Sequence, residues 1–114
     1  MADCIFCEIV AKRMKSDIVH EDDTVVAFRD INPQAPVHIL LVPKKHIESI
    51  QDVDESDADL MAKMVLVAQK IASREKINEG GYRLVLNYGV NGGQTVSHVH
   101  LHLLGGRRMT WPPG

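Results

Sequence analysis

The chain has 114 residues, 45% of them hydrophobic and 25% charged, with a formal net charge of −2 at pH 7. This composition is ordinary for a globular protein, and it argues against a disordered chain or a polybasic nucleic-acid binder. The length predicts a single domain over residues 1–114. The longest apolar run, Val37 to Val42, is too short to span a membrane. With two cysteines and no basic-then-apolar opening segment, we expect a reducing, cytoplasmic location.

The first half of the chain predicts one short helix and three strands. Cys4 to Met14 mixes apolar and charged residues, as one or two helical turns would. We expect strands over Ile18 to Glu21, Thr24 to Ile31 and Val37 to Val42, because β-branched residues are frequent there. The third strand is apolar along its length, which is typical of a central strand buried on both faces.

The second half predicts a long helix followed by two more strands. Ser56 is a plausible N-cap, and apolar residues recur at helical spacing from there to near Ile77. Alternating patterns predict strands over Tyr82 to Tyr88 and Ser97 to Leu104, with a loop at Asn91 to Gly93 between them. This order favours an α+β domain whose mostly antiparallel sheet carries the long helix on one face.

Three histidines alternate with apolar residues in the last predicted strand. Because successive strand residues point to opposite faces, His98, His100 and His102 should share one face, with ~7 Å between neighbours. Such a row is consistent with a histidine-rich solvated face or a metal site. It is also consistent with nucleophilic and acid–base chemistry near neutral pH.

A loop of small and polar residues precedes the histidines. Gly92 and Gly93 allow backbone N–H groups to approach an anion closely, and Gln94 and Thr95 add side-chain donors. Asn87 could supply a further donor. A phosphate group is the natural ligand for this arrangement, although a Gly-Gly-Gln turn alone is more often only a turn.

The segment from His98 to Leu104 resembles the His-x-His-x-His-x-x motif of the histidine triad nucleotide-binding family. The resemblance covers nearly the whole chain, through the blocks Phe28–Pro36, Val37–His38, Val42–His46 and Gly105–Arg107. The ending Trp111 to Gly114 resembles the branch of purine nucleoside phosphoramidases. The resemblance implies a five-stranded sheet and a homodimer in which two such sheets form ten strands. Residues 105–114 would then be a tail near the active site.

The resemblance also implies a role for each site residue. His100 would attack the α-phosphorus and form a nucleotidyl-histidine that water releases. His102 would contact the phosphate or assist the leaving group, and His98 and His38 would complete the catalytic histidines. The implied nucleotide contacts are Asn87, Gly93, Gln94 and Thr95 at the phosphate and leaving group, Asp30 at the ribose hydroxyls, and Phe28 and Ile31 at the base.

The implied activity is cleavage of the P–N bond in AMP or GMP phosphoramidates, and aminoacyl adenylates are plausible further substrates. Three alternatives stay open: a dinucleoside polyphosphate hydrolase, a nucleotide-binding regulatory protein with incidental hydrolysis, and a metalloenzyme that uses the triad as ligands. The metalloenzyme predicts that a chelator abolishes activity. The phosphoramidase predicts that a chelator destabilises the fold more than it stops the chemistry.

The pair Cys4-x-x-Cys7 has a spacing that suits zinc but supplies only two ligands. A redox pair and two unrelated buried cysteines are the alternatives. Related branches of the family complete a tetrahedral site with a histidine after the Pro-Lys-Lys segment and the first histidine of the triad. Here these would be His46 and His98, and four protein ligands would make the zinc structural.

Overall fold

The computed structural model describes residues 4–114, whose backbone forms a five-stranded sheet, two α-helices and a third helical turn. The strands are β1 (Ile18–Glu21), β2 (Val25–Arg29), β3 (Val37–Pro43), β4 (Tyr82–Val85) and β5 (Leu101–Gly105). The helices are α1 (Ile5–Val10), α2 (Ala58–Arg74) and the four-residue α3 (Gly89–Gly92). The predicted α+β class, with one long helix and one short N-terminal helix, is confirmed.

The sheet is antiparallel throughout, in the order β1-β2-β3-β5-β4. Strand β3 is central, and Leu40 lies opposite Phe28 of β2 on one side and His102 of β5 on the other. Every residue of β3 after Val37 is buried, which confirms the prediction of a central strand covered on both faces.

Side-chain alternation divides the sheet into two faces. One face packs against α2 through an aliphatic cluster: Val25, Ala27, Ile39, Leu41, Leu101 and Leu103 meet Met64, Val67, Ala68, Ile71 and Ala72. The other face packs against α1 through Val26, Phe28, Leu40 and Val42, which meet Phe6 and Ile9. The two faces are therefore covered by helices of very different length.

The long helix begins later and ends earlier than predicted. A 3₁₀ turn, Glu55–Asp57, precedes it, and Asp54 caps this turn by accepting the N–H of Ser56 while Asp57 accepts the N–H of Asp54. Ser56 is therefore not the N-cap: Asp54 caps the 3₁₀ turn, and Asp57 is at the N-cap position of α2. The helix ends at Arg74 rather than near Ile77. No helix in residues 4–114 has both the length and the apolar character needed to cross a membrane.

The last two strands are also shorter than predicted. β4 ends at Val85, and the predicted loop at Asn91 to Gly93 falls partly in the helical turn α3. β5 starts at Leu101 rather than Ser97, so His98 and His100 precede the strand. The Val99 N–H donates to the Ile47 carbonyl at 2.6 Å instead of joining a strand ladder, and the pairing of β3 with β5 ends at Leu41 and Leu101.

Candidate functional site

A cavity of about 260 Å³ opens on the face of the sheet that α1 covers. Six of the predicted site residues line it: Phe28, Asp30, Ile31, Thr95, His100 and His102. Ile31 is 98% exposed, so it stands at the rim rather than forming an inner wall. The cavity therefore brings a carboxylate, two imidazoles and apolar walls into one space.

His100 is buried at 5% exposure, and its ring is held from two sides. Its Nδ1 lies 2.7 Å from the carbonyl oxygen of His98, so Nδ1 carries the proton and donates to that carbonyl. The Phe6 ring meets the imidazole edge to face, with ring centroids 5.0 Å apart. In the neutral imidazole this arrangement leaves the lone pair on Nε2, the atom that can act as a nucleophile.

A chain of hydrogen bonds fixes the tautomers of the next two histidines. The backbone N–H of Gln34 donates to His38 Nδ1 at 3.0 Å, so the proton of neutral His38 is on Nε2. That Nε2 lies 2.9 Å from His102 Nδ1 and 3.4 Å from an oxygen of Asp30. Nδ1 of His102 is therefore an acceptor, and neutral His102 carries its proton on Nε2.

Burial keeps these imidazoles neutral. It lowers the pKa of His100 and of His38 below the ordinary value, although Asp30 partly opposes the effect in both. The pKa of His102 falls to about 4 through burial and the proximity of His100 and His38. At neutral pH the site therefore offers one imidazole lone pair and one imidazole N–H donor, with no fixed imidazolium.

The predicted metal ligands meet in a second cluster behind His100. One ligand atom from each of Cys4, Cys7, His46 and His98 lies within 4.8 Å of the others. His98 Nδ1 is 3.4 Å from Cys4 Sγ, 3.5 Å from Cys7 Sγ and 3.1 Å from His46 Nδ1. The His46 Nδ1 atom is 3.2 Å from Cys7 Sγ.

These distances fit a tetrahedral zinc centre. Zinc–ligand bonds of about 2.3 Å to sulfur and 2.0–2.1 Å to nitrogen give tetrahedral edges of roughly 3.6 Å for S···N and 3.4 Å for N···N. The other nitrogen of His98, Nε2, lies 2.8 Å from the Pro43 carbonyl oxygen and donates to it. This bond leaves the Nδ1 lone pair of His98 facing the cluster, as metal-binding histidines require. The donor set and its geometry therefore fit the metal.

Three predicted phosphate contacts are engaged in hydrogen bonds to backbone carbonyls of the protein itself. The Gln94 amide donates to the carbonyls of Glu48 and Val96, and the Asn87 amide donates to the carbonyl of Gly92. The N–H of Gly93, a residue with φ of 79°, donates to the Val90 carbonyl. These three residues do not belong to the described lining of the cavity, so their phosphate contacts stay a prediction.

Sequence reasoning missed one wall of the cavity. Ile5, Phe6 and Ile9 of α1 line it, and Met14, Lys15 and Ser16 continue the wall after the helix. The pattern of α1 predicts a buried helical face but does not say which part of the sheet that face covers. The cysteines around Phe6 were the available signal, because a metal shared with His98 would bring α1 to the triad.

Comparisons with known proteins agree with this site. Residues 3–110 match the family described as "Scavenger mRNA decapping enzyme C-term binding". An uncharacterized HIT-like protein of Synechococcus elongatus is 48% identical over 98% of this chain and 97% of its own length. A 14 kDa zinc-binding protein of Brassica juncea is 46% identical over 98% of this chain and all of its own length.

A solved structure extends the agreement to the whole fold. The crystal structure of a HIT family hydrolase from Legionella pneumophila Philadelphia 1 is 53% identical in sequence, with a TM-score of 0.97. The match covers 98% of this chain and 100% of that one. By sequence and by structure, this chain belongs to the histidine triad (HIT) family.

Proposed function

We propose that the protein is a nucleotide hydrolase that cleaves the P–N bond of purine nucleoside phosphoramidates through a nucleotidyl-His100 intermediate. The observation that carries the proposal is the Nδ1–H bond from His100 to the His98 carbonyl at 2.7 Å in the wall of the cavity. This bond directs the lone pair of a neutral imidazole to Nε2. The hydrolases among its structural relatives support the general class of reaction.

The cavity suits a nucleotide because its lining combines apolar rings, a carboxylate and imidazoles. The aromatic rings of Phe6 and Phe28, whose centroids lie 5.4 Å apart, offer an apolar surface for a base. Asp30 lines the same cavity, and a carboxylate can accept hydrogen bonds from two neighbouring ribose hydroxyls. A purine gains more from the apolar wall than a pyrimidine does, since it buries more surface.

The chemistry follows from the assigned tautomers. The His100 Nε2 lone pair forms a bond to the α-phosphorus while the P–N bond to the leaving amine breaks, and water protonates the departing nitrogen. The resulting imidazolium keeps its Nδ1–H bond to the His98 carbonyl, which stabilises the positive charge. Hydroxide then attacks phosphorus, which releases the nucleoside monophosphate and restores neutral His100.

His102 supports both displacements as a hydrogen-bond donor. Its Nδ1 accepts from His38, so its Nε2–H is available to a phosphoryl oxygen on which charge develops. His38 positions His102 because its own orientation is fixed by the Gln34 N–H. Neutral His102 suits this role at pH 7, since burial holds its pKa at about 4.

We further propose that Cys4, Cys7, His46 and His98 hold zinc. Zinc with four protein ligands has no open coordination position, so it supplies a cross-link and no reacting water. His98 then takes no part in proton transfer, because its two ring nitrogens are occupied by the cluster and by the Pro43 carbonyl. The relative from Brassica juncea, named for zinc binding, supports this assignment.

A homodimer formed through β4 is part of the proposal. β4 is an edge strand, and Tyr82 within it and Leu86 and Tyr88 just after it are exposed. Val65 and Leu66 on α2 are exposed apolar side chains as well. Pairing two such edges would join the sheets into ten strands and cover these side chains. The Arg83 guanidinium donates to the Thr110 carbonyl at 2.9 Å, so this part of the C-terminal tail lies beside the β4 edge. Trp111, 82% exposed, would then be close to the partner.

The test is to trap the intermediate. The protein is mixed with adenosine 5′-phosphoramidate and quenched early under alkaline conditions, and its peptides are analysed by mass spectrometry. We expect an adenylated peptide in which fragmentation places the AMP group on His100. His20→Gln is the matched control, because this histidine lies on β1 and bonds to Asp22. Normal turnover with only unmodified peptide contradicts the covalent route.

A further inference from the structure

We propose that the metal cluster positions the catalytic site: the ion held by Cys4, Cys7, His46 and His98 sets both the α1 wall of the cavity and the orientation of His100. This inference rests on the proposed function and extends it to what holds the residues of the same site in position. Loss of the ion would then loosen nucleotide binding and the nucleophile together, while the α2 face of the sheet stays folded.

The first connection runs through α1. This helix has six residues, fewer than an isolated helix needs to be stable in water. Two of the four ligands, Cys4 and Cys7, bracket Phe6, and the Phe6 ring contacts His98, His100 and Phe28. The Cys7 N–H also donates to Cys4 Sγ at 3.3 Å, which caps the start of the helix. An ion that binds both sulfurs therefore fixes the residue that forms the aromatic wall.

The second connection runs through His98, which is fully buried at 0% exposure. Its ring is tethered twice, at Nδ1 by the cluster and at Nε2 by the Pro43 carbonyl. Its backbone carbonyl is the acceptor that fixes His100 Nδ1. The next residue, Val99, donates its N–H to Ile47, the neighbour of His46. The orientation of the carbonyl therefore depends on a ring and a backbone segment that both attach to the cluster.

The two connections distinguish this role from two others. A metal that only adds stability would change the unfolding temperature but leave nucleotide affinity and the His100 tautomer unchanged in the folded protein. A metal that takes part in the chemistry would change turnover but leave AMP affinity and the tautomer unchanged. A positioning metal changes affinity and tautomer in a protein that is still folded.

The experiment uses His46→Ala, because His46 lies neither on α1 nor in the described lining of the cavity. Glu48→Gln, two residues away, is the matched control, and His46→Cys is the rescue variant, since a Cys3His set also binds zinc. For each protein we would measure zinc content, the Kd for AMP by calorimetry and the His100 tautomer by ¹⁵N NMR. Amide hydrogen exchange of α1 and α2 reports which part of the fold has loosened.

We expect His46→Ala to lose zinc and to bind AMP on the order of 10-fold more weakly, a difference of about 1.4 kcal/mol. His100 should change from a single Nδ1–H tautomer to a mixture, with faster exchange in α1 than in α2. His46→Cys should restore zinc, affinity and tautomer together, and Glu48→Gln should match the wild type. A zinc-free His46→Ala protein with wild-type AMP affinity and an unchanged tautomer overturns the inference.

The same readouts apply to the wild type with zinc added back after a chelator, which decides the question if His46→Ala does not fold. If chelation unfolds α2 as readily as α1, the inference is also overturned, because the ion then holds the whole fold. No readout depends on turnover. If phosphoramidates are not hydrolysed, the proposed function fails, yet the tautomer and the exchange of α1 still decide the role of the metal.

Discussion

The two faces of the sheet differ in the kind of side chain that they bury. On one face the 17-residue helix α2 covers an aliphatic cluster in which Ile39, Leu41 and Leu103 have no exposed surface. On the other face the six-residue helix α1 covers a surface that includes three buried histidines, His38, His98 and His100. The first face is arranged for burial of apolar surface, and the second for chemistry.

The difference teaches how a small domain can hold a polar site in its interior. Burying an imidazole is unfavourable unless its nitrogens find partners. Here the backbone supplies them: carbonyls of Pro43 and His98 accept from two rings, and the N–H of Gln34 donates to a third. The α2 face can therefore supply most of the stability while the α1 face holds the polar site. Substitutions on the α2 face should change mainly the free energy of unfolding, and substitutions on the α1 face mainly the activity.

The largest effect is expected from removing the proposed nucleophile, His100, on the α1 face. Loss of a catalytic nucleophile costs on the order of 10⁴–10⁶ in kcat. His100→Ala should therefore lose phosphoramidate turnover to this extent while still binding AMP, as steady-state kinetics and calorimetry would report. A His100→Ala protein that keeps more than a tenth of the wild-type kcat would contradict the proposal that the α1 face carries the chemistry.

The next largest effect is expected on the α2 face, and on stability alone. Ile71 is 1% exposed in the cluster beneath α2, and truncating such a residue to alanine costs about 2–5 kcal/mol. Urea unfolding of Ile71→Ala should show this loss, and kcat per folded molecule should stay at the wild-type value. Ser73→Ala on the exposed side of the same helix is the control. A fall in kcat comparable to that of His100→Ala would mean that the two faces are not separable.

Much of this division was predictable because side-chain alternation is a local property of a strand. The apolar run Val37 to Val42 predicted the central strand, and the His-x-His-x-His pattern predicted imidazoles opposite apolar residues. What alternation could not reveal is where a strand stops. The last strand begins only at Leu101, since His98 and Val99 bond to Pro43 and Ile47, which are distant in sequence.

The α1 wall was unpredictable for the same reason. Whether Phe6 contacts His100 depends on a meeting of segments about ninety residues apart, and only the cysteine pair hinted at it. The side chain of Gln94 was predicted to face a phosphate. Its bonds to the carbonyls of Glu48 and Val96 depend on how the loop folds back, which a single sequence does not specify.

A smaller effect follows from the pH dependence of the α1 face. An unfolded histidine titrates near pH 6.5, about the reference value, whereas burial and neighbouring imidazoles hold the pKa of His102 at about 4. Between these values the unfolded chain binds more protons, so stability should be complete above pH 6.5 and fall as the pH drops toward 4. Urea unfolding of wild type and His102→Gln from pH 7 to 4.5 checks this. The unfolding free energy of His102→Gln should depend less on pH than that of the wild type. Equal pH dependence in the two proteins would contradict the lowered pKa of His102.

The smallest effect is expected where the two faces meet, at the end of β2. The Arg29 guanidinium bonds Glu75 at the end of α2 with two contacts of 2.9 and 3.0 Å, yet the arginine side chain is 38% exposed. Because solvent screens such a pair, Glu75→Gln should cost no more than about 1 kcal/mol, and less in 1 M salt. Urea unfolding at low and high salt measures this, with Glu79→Gln as the control at an exposed turn.

Arg29 also lines the nucleotide cavity, so AMP affinity is the second readout. We expect that affinity to stay unchanged, because Phe28 and Asp30, on either side of Arg29, are the proposed nucleotide contacts. Weaker AMP binding by Glu75→Gln would show that the Arg29–Glu75 ion pair couples α2 to the nucleotide cavity. The two faces would then not be independent at Arg29.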